Sequence, residues 1–205
     1  MKRLLVFALA PLLLLAVGCA KAPTEKLAAA DKAVSDARAA GAPTYVAEDF
    51  AKLEGMLNNA KKEIAEQDAR LAFVRDYEKA EGLLTSVQAD AGRVTADAGK
   101  KKEEAKAAAV QAQQAAQEAV KTTQGLVAKA PVGKDRAALE AIKADAKGLA
   151  TSLSEVQTAI DAGDYLGAQA KAKAIQEKSQ AVAAEIQSAL AKVGGAKAKK
   201  NKGGK

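Results

Sequence analysis

Apolar residues recur along most of this chain at alternating spacings of three and four residues, which is the period of helices packed along a narrow seam. No stretch of useful length shows the alternation typical of a β-strand. The first predicted helix runs from Thr24, a suitable N-cap, to Ala40, and Gly41 is placed to end it. The second helix has the clearest apolar line, formed by Val46, Phe50, Leu53, Leu57, Ala60 and Ile64. The line breaks from Gln67 to Arg75, which predicts a turn containing Leu71, Phe73 and Val74.

The third predicted helix is the longest and extends from about Asp76, a capping residue, to Ala128. At 1.5 Å per residue it is about 80 Å long, so it needs a partner helix in the same chain or in another. Its middle is mostly alanine, which gains much less from burial than leucine does. Its predicted seam consists of Tyr77, Ala80, Leu84, Val87, Ala91, Val94, Ala98, Lys101, Ala105, Ala108, Ala112, Ala115, Ala119, Thr122 and Leu126.

Two further helices follow, and the short turn Asp161–Asp164 between them favours an antiparallel hairpin. Asp-Tyr-x-x-Ala begins both the third helix, at Asp76, and the last one, at Asp164. The pattern as a whole predicts an all-α fold of elongated antiparallel helical hairpins, a coiled-coil-like bundle with one very long helix. The seam of the hairpin is formed by Leu139, Ile142, Ala146, Leu149, Leu153, Val156, Ile160, Tyr165, Ala168, Ala172, Ile175, Ser179, Val182, Ile186, Ala189 and Val193.

The N-terminal residues have the composition of an export signal. Lys2 and Arg3 precede an uncharged apolar run of about 14 residues, which is shorter than the roughly 20 that a membrane-spanning helix needs. Leu15-Ala16-Val17-Gly18-Cys19 resembles the lipobox of bacterial lipoproteins, with Ala16 where leucine is usual. The resemblance implies cleavage between Gly18 and Cys19 and a lipidated Cys19 carrying diacylglyceryl and N-acyl (palmitate-type) chains. The alternative is a plain secretory leader.

The domain organisation follows from these patterns. Residues 1–18 are predicted to be a lipoprotein signal peptide and residues 19–23 a lipidated linker. Residues 24–129 form an N-terminal helical domain with a long coiled-coil arm, and residues 134–193 a C-terminal helical hairpin. Residues 194–205, "GGAKAKKNKGGK", have no apolar residue beyond alanine and are predicted to be a disordered basic tail.

The formal net charge of +7 comes from the two ends of the chain. Without the two basic residues of the leader and the six lysines near the C-terminus, 24 of the 32 basic residues remain against 25 acidic ones. The tail is either a solvated end or a contact for anionic lipid or acidic cell-wall polymer. Nucleic acid is a poor candidate partner, because aromatic residues that would stack on bases are missing.

The sequence predicts no enzyme, no catalytic residue, no metal site and no cofactor beyond the lipid on Cys19. Histidine, the commonest general base and metal ligand, is absent. The nearest approaches to paired carboxylates are Glu103 with Glu104, interpreted as a solvated helix face, and Asp161 with Asp164, interpreted as a turn with an N-cap.

Three seam residues have alternative roles. Tyr77 and Tyr165 are either recognition aromatics or, as we favour, residues that close the end of a bundle with the hydroxyl reaching water. Lys101 interrupts the seam of the long helix. It either sets the register or marks where the partner helix ends.

The segment "AAGAPTYVA", followed by "EDFAKLEGMLNNAKKEIAEQDARLAFVRDYEKAEGLL", resembles an uncharacterised domain of alanine-rich helical lipoproteins from Gram-negative envelopes. The likeness covers residues 23–93 well and residues 135–193 more loosely. It implies an all-helical fold and an envelope location, and it brings no established activity. Ala20 is not the aspartate that retains many such lipoproteins in the inner membrane, so the expected location is the periplasmic face of the outer membrane.

These observations favour a lipid-anchored envelope lipoprotein that acts as a structural spacer or a protein-interaction scaffold. The alternative is a periplasmic chaperone or a module that binds protein or cell wall, either without a covalent link or joined to murein through Lys205. Self-association of the alanine-rich helix is a further possibility.

Overall fold

The computed structural model describes residues 20–129 and 136–202, and every regular element in these ranges is helical. The all-α prediction with one very long helix is confirmed. Gly18 and Cys19 lie outside the described residues, as does the boundary predicted around residues 130–133. The elements are α1 (Thr24–Ala39), α2 (Ala42–Tyr45), α3 (Ala47–Asp68), a 3-10 turn (Ala72–Val74), α4 (Glu78–Lys129), α5 (Arg136–Asp161) and α6 (Tyr165–Lys202).

The first compact unit ends at Ala98 and contains α1, α2, α3 and the first part of α4. We call it the first bundle. Its core joins all three long elements through large side chains, as the apolar lines predict, and Tyr77 closes it with 3% of its surface exposed. The larger members of this core are Val34, Phe50, Leu53, Leu57, Ile64, Tyr77, Leu84, Val87 and Val94.

The second compact unit begins at Gly99 and contains the rest of α4 together with α5 and α6. We call it the second bundle. The division therefore falls inside α4, whereas the sequence places the domain boundary after residue 129. The reason is that the second half of α4 packs its alanines against the terminal hairpin. The core consists of Ala109, Ala116, Val120, Leu149, Val156, Ala159, Ala168, Ala172 and Ile175.

The buried face of α4 changes register along the helix. Up to Ala105 the buried positions are those that the heptad predicts, apart from the exposed Lys101. Beyond it the predicted seam is wrong by one position, because the fully or nearly buried residues are Ala109, Gln113, Ala116, Val120 and Thr123. Successive steps of four residues shift a heptad in this way. The terminal hairpin also departs from its predicted seam. Ala159 is buried next to Ile160, which was predicted on the seam and is half-buried, and Ala189, also predicted on the seam, is exposed.

Several helix ends differ from prediction. Thr24 is the first residue of α1 rather than its cap, and Pro23 precedes it without a side-chain cap. Gly41 ends the segment as predicted, with φ at 94°, a left-handed conformation that favours glycine. The helical backbone of α6 continues through Lys202, whereas disorder is predicted from residue 194. Alanine and lysine propagate a helix well once it has started, which accounts for the difference.

The repeated Asp-Tyr-x-x-Ala segments form equivalent helix starts. The carboxylate of Asp76 accepts the N–H of Glu78 at 2.9 Å. The carboxylate of Asp164 accepts the N–H of Gly167, also at 2.9 Å. Both therefore satisfy a donor that the first turn of a helix leaves free, as the capping predictions require.

Candidate functional site

Ion pairs fix the relative direction of α1 and α3. Asp31 pairs with Lys61 at 2.6 Å, and Arg38, later in α1, pairs with Glu54, earlier in α3. The two helices are therefore antiparallel. The start of α1 and the end of α3 lie at one end of the first bundle, and the α2 turn lies at the other.

The start of α4 lies at the same end as the start of α1. Lys26 pairs with Glu81 at 2.5 Å, and the side-chain amide of Gln88 donates to the carbonyl of Lys26 at 3.2 Å. The chain enters here through residues 20–23, where Ala22 packs against the core of the first bundle. Four residues thus separate Cys19 from the first residue of α1.

The loop of residues 69–77 joins α3 to α4 at this same end. Its Leu71, Phe73 and Val74 are 67%, 68% and 50% exposed, and we call these three side chains the apolar tip. The sequence predicts a turn here, and that prediction is confirmed. Sequence reasoning did not find that three large apolar side chains all face solvent. Contiguous exposed apolar patches of this kind mark interaction surfaces more often than scattered single residues do.

The loop is held by hydrogen bonds to α3. Arg75 donates from Nε to the carbonyl of Arg70 at 3.0 Å and from Nη2 to the carbonyl of Asp68 at 2.8 Å. The Asp68 carbonyl belongs to the unsatisfied end of α3, where a cation is favoured, and the Arg70 carbonyl lies within the loop itself. The backbone N–H of Asp76 donates to the side chain of Gln67 at 3.1 Å. The apolar tip is therefore presented by a fixed loop.

Tyr77 closes the bundle directly behind the loop. Its hydroxyl donates to the Asp68 carboxylate at 2.5 Å, so it does not simply reach water as the sequence predicts. This hydrogen bond raises the pKa of Tyr77, and burial and the negative charge of Asp68 act in the same direction. The contacts favour the structural interpretation of this tyrosine over a recognition role.

A buried carboxylate, that of Glu63, lies in α3 one turn before Gln67. Glu63 is 7% exposed and pairs with Lys79 at 2.5 Å, while its other oxygen accepts from Gln67 at 3.0 Å. The hydrogen bond from Lys79 and then that from Gln67 lower the pKa of Glu63. The bond to Glu63 raises the pKa of Lys79. The pair joins α3 to α4 next to the loop. The sequence did not predict it, because neither charged residue belongs to an apolar seam.

The other sequence-selected residues are not brought into a common site. Glu103 and Glu104 lie on the surface of α4, and the hydrogen bond from Lys101 at 2.9 Å lowers the pKa of Glu104. Asp161 accepts from Gln157, and Asp164 is the cap described above.

The second bundle has two separate polar contacts between helices that the sequence did not predict. The side chain of Gln113 donates to Gln157 at 2.8 Å, and Thr123 donates to the carbonyl of Ser179 at 2.9 Å. Ser179 is fully buried, and its own hydroxyl has no hydrogen-bond partner within the described residues. The burial of Ser179 was predicted from the seam of α6. The burial of Gln113 and Thr123 was not, because the seam of α4 is shifted by one position there.

Comparisons with protein-family models, with curated proteins and with solved structures give no match. Within residues 20–129 and 136–202 no helix has the length and apolar character needed to cross a membrane. The same part of the chain contains no cluster of three or more acidic, cysteine or histidine side chains able to hold a metal ion.

Proposed function

We propose that this chain is a bacterial envelope lipoprotein, anchored by lipid on Cys19 at the periplasmic face of the outer membrane, and that its helical bundles act as a spacer or protein-interaction scaffold. The observation that carries the proposal is the order Leu15-Ala16-Val17-Gly18-Cys19 at the end of an apolar leader. The entry of the chain supports it, since only four residues separate Cys19 from the first bundle. A binding role agrees with the absence of histidine and the single cysteine.

Metabolic labelling with a fatty-acid precursor tests the anchor. We expect the wild-type chain to be labelled and processed to a mature form that begins at Cys19, and Cys19→Ser to lose both properties. Ala16→Leu is the matched control, because it supplies the usual lipobox residue and keeps the cysteine. Labelling that persists in Cys19→Ser, or an unlabelled wild-type chain, would remove the proposal.

Membrane fractionation tests the location. The wild-type protein is expected in the outer membrane, and Ala20→Asp in the inner membrane, because aspartate at this position retains many lipoproteins there. Equal distribution of the two proteins would contradict the assignment to the outer membrane.

Cross-linking in intact envelopes, followed by affinity capture and mass spectrometry, tests the scaffold role. A partner captured reproducibly by the anchored protein is expected. Recovery of the chain without any cross-linked partner would contradict the scaffold role and leave only the spacer role.

A further inference from the structure

We propose that the apolar tip, Leu71, Phe73 and Val74, inserts into the lipid interface beside the lipid anchor and fixes the orientation of the first bundle on the membrane. This inference rests on the proposed lipidation of Cys19. It adds a second contact with the bilayer, formed by side chains of the folded protein.

The position of the tip carries the first step. The start of α1, the end of α3 and the 69–77 loop lie at one end of the first bundle, as the ion pairs and the Gln88 hydrogen bond require. Four extended residues span at most about 14 Å. Ala22 already packs against the core, so only Ala20 and Lys21 remain to separate the bundle from Cys19. A lipid on Cys19 therefore holds this end of the bundle close to the bilayer.

The chemistry of the loop carries the second step. The tip combines one aromatic and two aliphatic side chains that are half to two-thirds exposed. Arg70 and Arg75 flank them in the run "ARLAFVR", which contains no carboxylate. Apolar side chains with adjacent cations suit an interface of acyl chains and anionic head groups. Phenylalanine and leucine are typical of segments that lie in such an interface.

Two exposed carboxylates, Asp68 and Asp76, border this run, and each makes a hydrogen bond within the bundle. Asp68 accepts the hydroxyl of Tyr77, and Asp76 accepts the N–H of Glu78. In the sequence, Arg70 lies between Asp68 and the tip, and Arg75 lies between the tip and Asp76. We favour lipid over a protein partner because the tip lies beside the residue that the proposed function attaches to the membrane.

The expected role of the tip is orientation rather than retention. Two acyl chains already anchor a protein stably, so the lipid on Cys19 needs no help to hold the chain at the membrane. A single flexible attachment leaves the bundle free to tilt, whereas a second, rigidly presented contact restricts the tilt. Arg75 provides that rigidity, because it donates to Asp68 at the end of α3 and to Arg70 within the loop.

Tryptophan fluorescence tests the contact directly, because the chain contains no tryptophan. Phe73→Trp places a single reporter in the tip. Thr44→Trp is the matched control, since Thr44 is exposed in the α2 turn at the opposite end of the first bundle. Each full-length lipidated protein is reconstituted into vesicles of phosphatidylethanolamine and phosphatidylglycerol, with and without brominated acyl chains. Circular dichroism confirms that both variants keep the helical content of the wild type.

We expect the tryptophan emission of the Phe73→Trp variant to shift to shorter wavelength on reconstitution and to be quenched by brominated lipid. The emission of the Thr44→Trp variant is expected to show neither change. Emission from the tip reporter that brominated lipid does not quench would overturn the proposal. A shift without bromine quenching that grows with protein concentration would assign the tip to self-association instead, and would also overturn it.

Failure of the anchor and failure of the tip are distinguishable. Mass spectrometry of the N-terminal peptide reports whether Cys19 carries lipid. If it does not, the proposed function fails, and the tip is tested by coupling the Cys19 thiol to a maleimide lipid in the same vesicles. If Cys19 is lipidated and the tip reporter stays in water, only the inference about the tip fails.

Discussion

The N-terminal cap of α6 can be tested quantitatively through Gly167→Ala. A Cβ atom at Gly167 would lie 2.0 Å from Oδ2 and 2.6 Å from Cγ of Asp164, which is closer than any ordinary contact. The Asp164 side chain must therefore leave its capping position. Losing such a cap costs about 1 kcal/mol. Replacing glycine by alanine inside a helix returns up to about 1 kcal/mol.

The two effects oppose each other, so Gly167→Ala alone is expected to change the free energy of unfolding by less than about 0.5 kcal/mol. In an Asp164→Ala background the cap is already lost, and the same substitution should stabilise the protein by up to about 1 kcal/mol. The coupling between the two positions is thus expected to be about 1 kcal/mol.

Urea denaturation of the wild type, both single variants and the double variant, followed by circular dichroism, completes the cycle. Data from the second bundle must be fitted separately if the two bundles unfold in separate transitions. Equal stabilisation by Gly167→Ala in both backgrounds would refute the reasoning, because it would mean that alanine at this position does not displace the cap.

Three further predictions concern stability. Ser179→Ala removes a buried hydroxyl that has no hydrogen-bond partner within the described residues. It should raise the free energy of unfolding, measured by urea denaturation, by about 1 kcal/mol. A lower free energy of unfolding would indicate that the hydroxyl has a bound partner. Glu63→Gln should lower the melting temperature at neutral pH. The difference in melting temperature from the wild type should shrink as the pH falls below 4.5, because Glu63 becomes protonated through its lowered pKa. It should also shrink as the pH rises above 10.5, because Lys79 loses its charge through its raised pKa. A difference that does not depend on pH would contradict the ion-pair argument. Ala116→Leu, at a fully buried position, should lower the free energy of unfolding by about 1–3 kcal/mol. Ala115→Leu, at a half-buried position on the seam predicted from the heptad, should lower it less. The reverse order would contradict the register shift.

The sequence was sufficient to predict the buried helix faces of the first bundle, because its seam carries large side chains. Phe50, Leu53 and Leu84 differ so much from their polar neighbours that only one helix face can be buried. The second half of α4 offers no such contrast. Ala115 and Ala116 have the same methyl group, and the choice between them depends on how α5 and α6 meet the helix.

The end of the first bundle was predicted only in part. A turn was expected around Leu71, Phe73 and Val74, but their exposure depends on how the loop is held against α3. Glu63 was missed for a different reason. A charged residue in an amphipathic helix normally indicates the solvated face, and its burial here depends on Lys79, a partner from another helix.

The contrast between the two cores has a consequence for α4 as a helix. Its first part buries leucine and valine side chains of its own, whereas its second part buries mainly alanine methyl groups. Local opening requires less free energy where less apolar surface is exposed. The backbone amides of one uninterrupted helix are therefore expected to exchange with deuterated water at two rates, slowly before Ala98 and faster after Gly99.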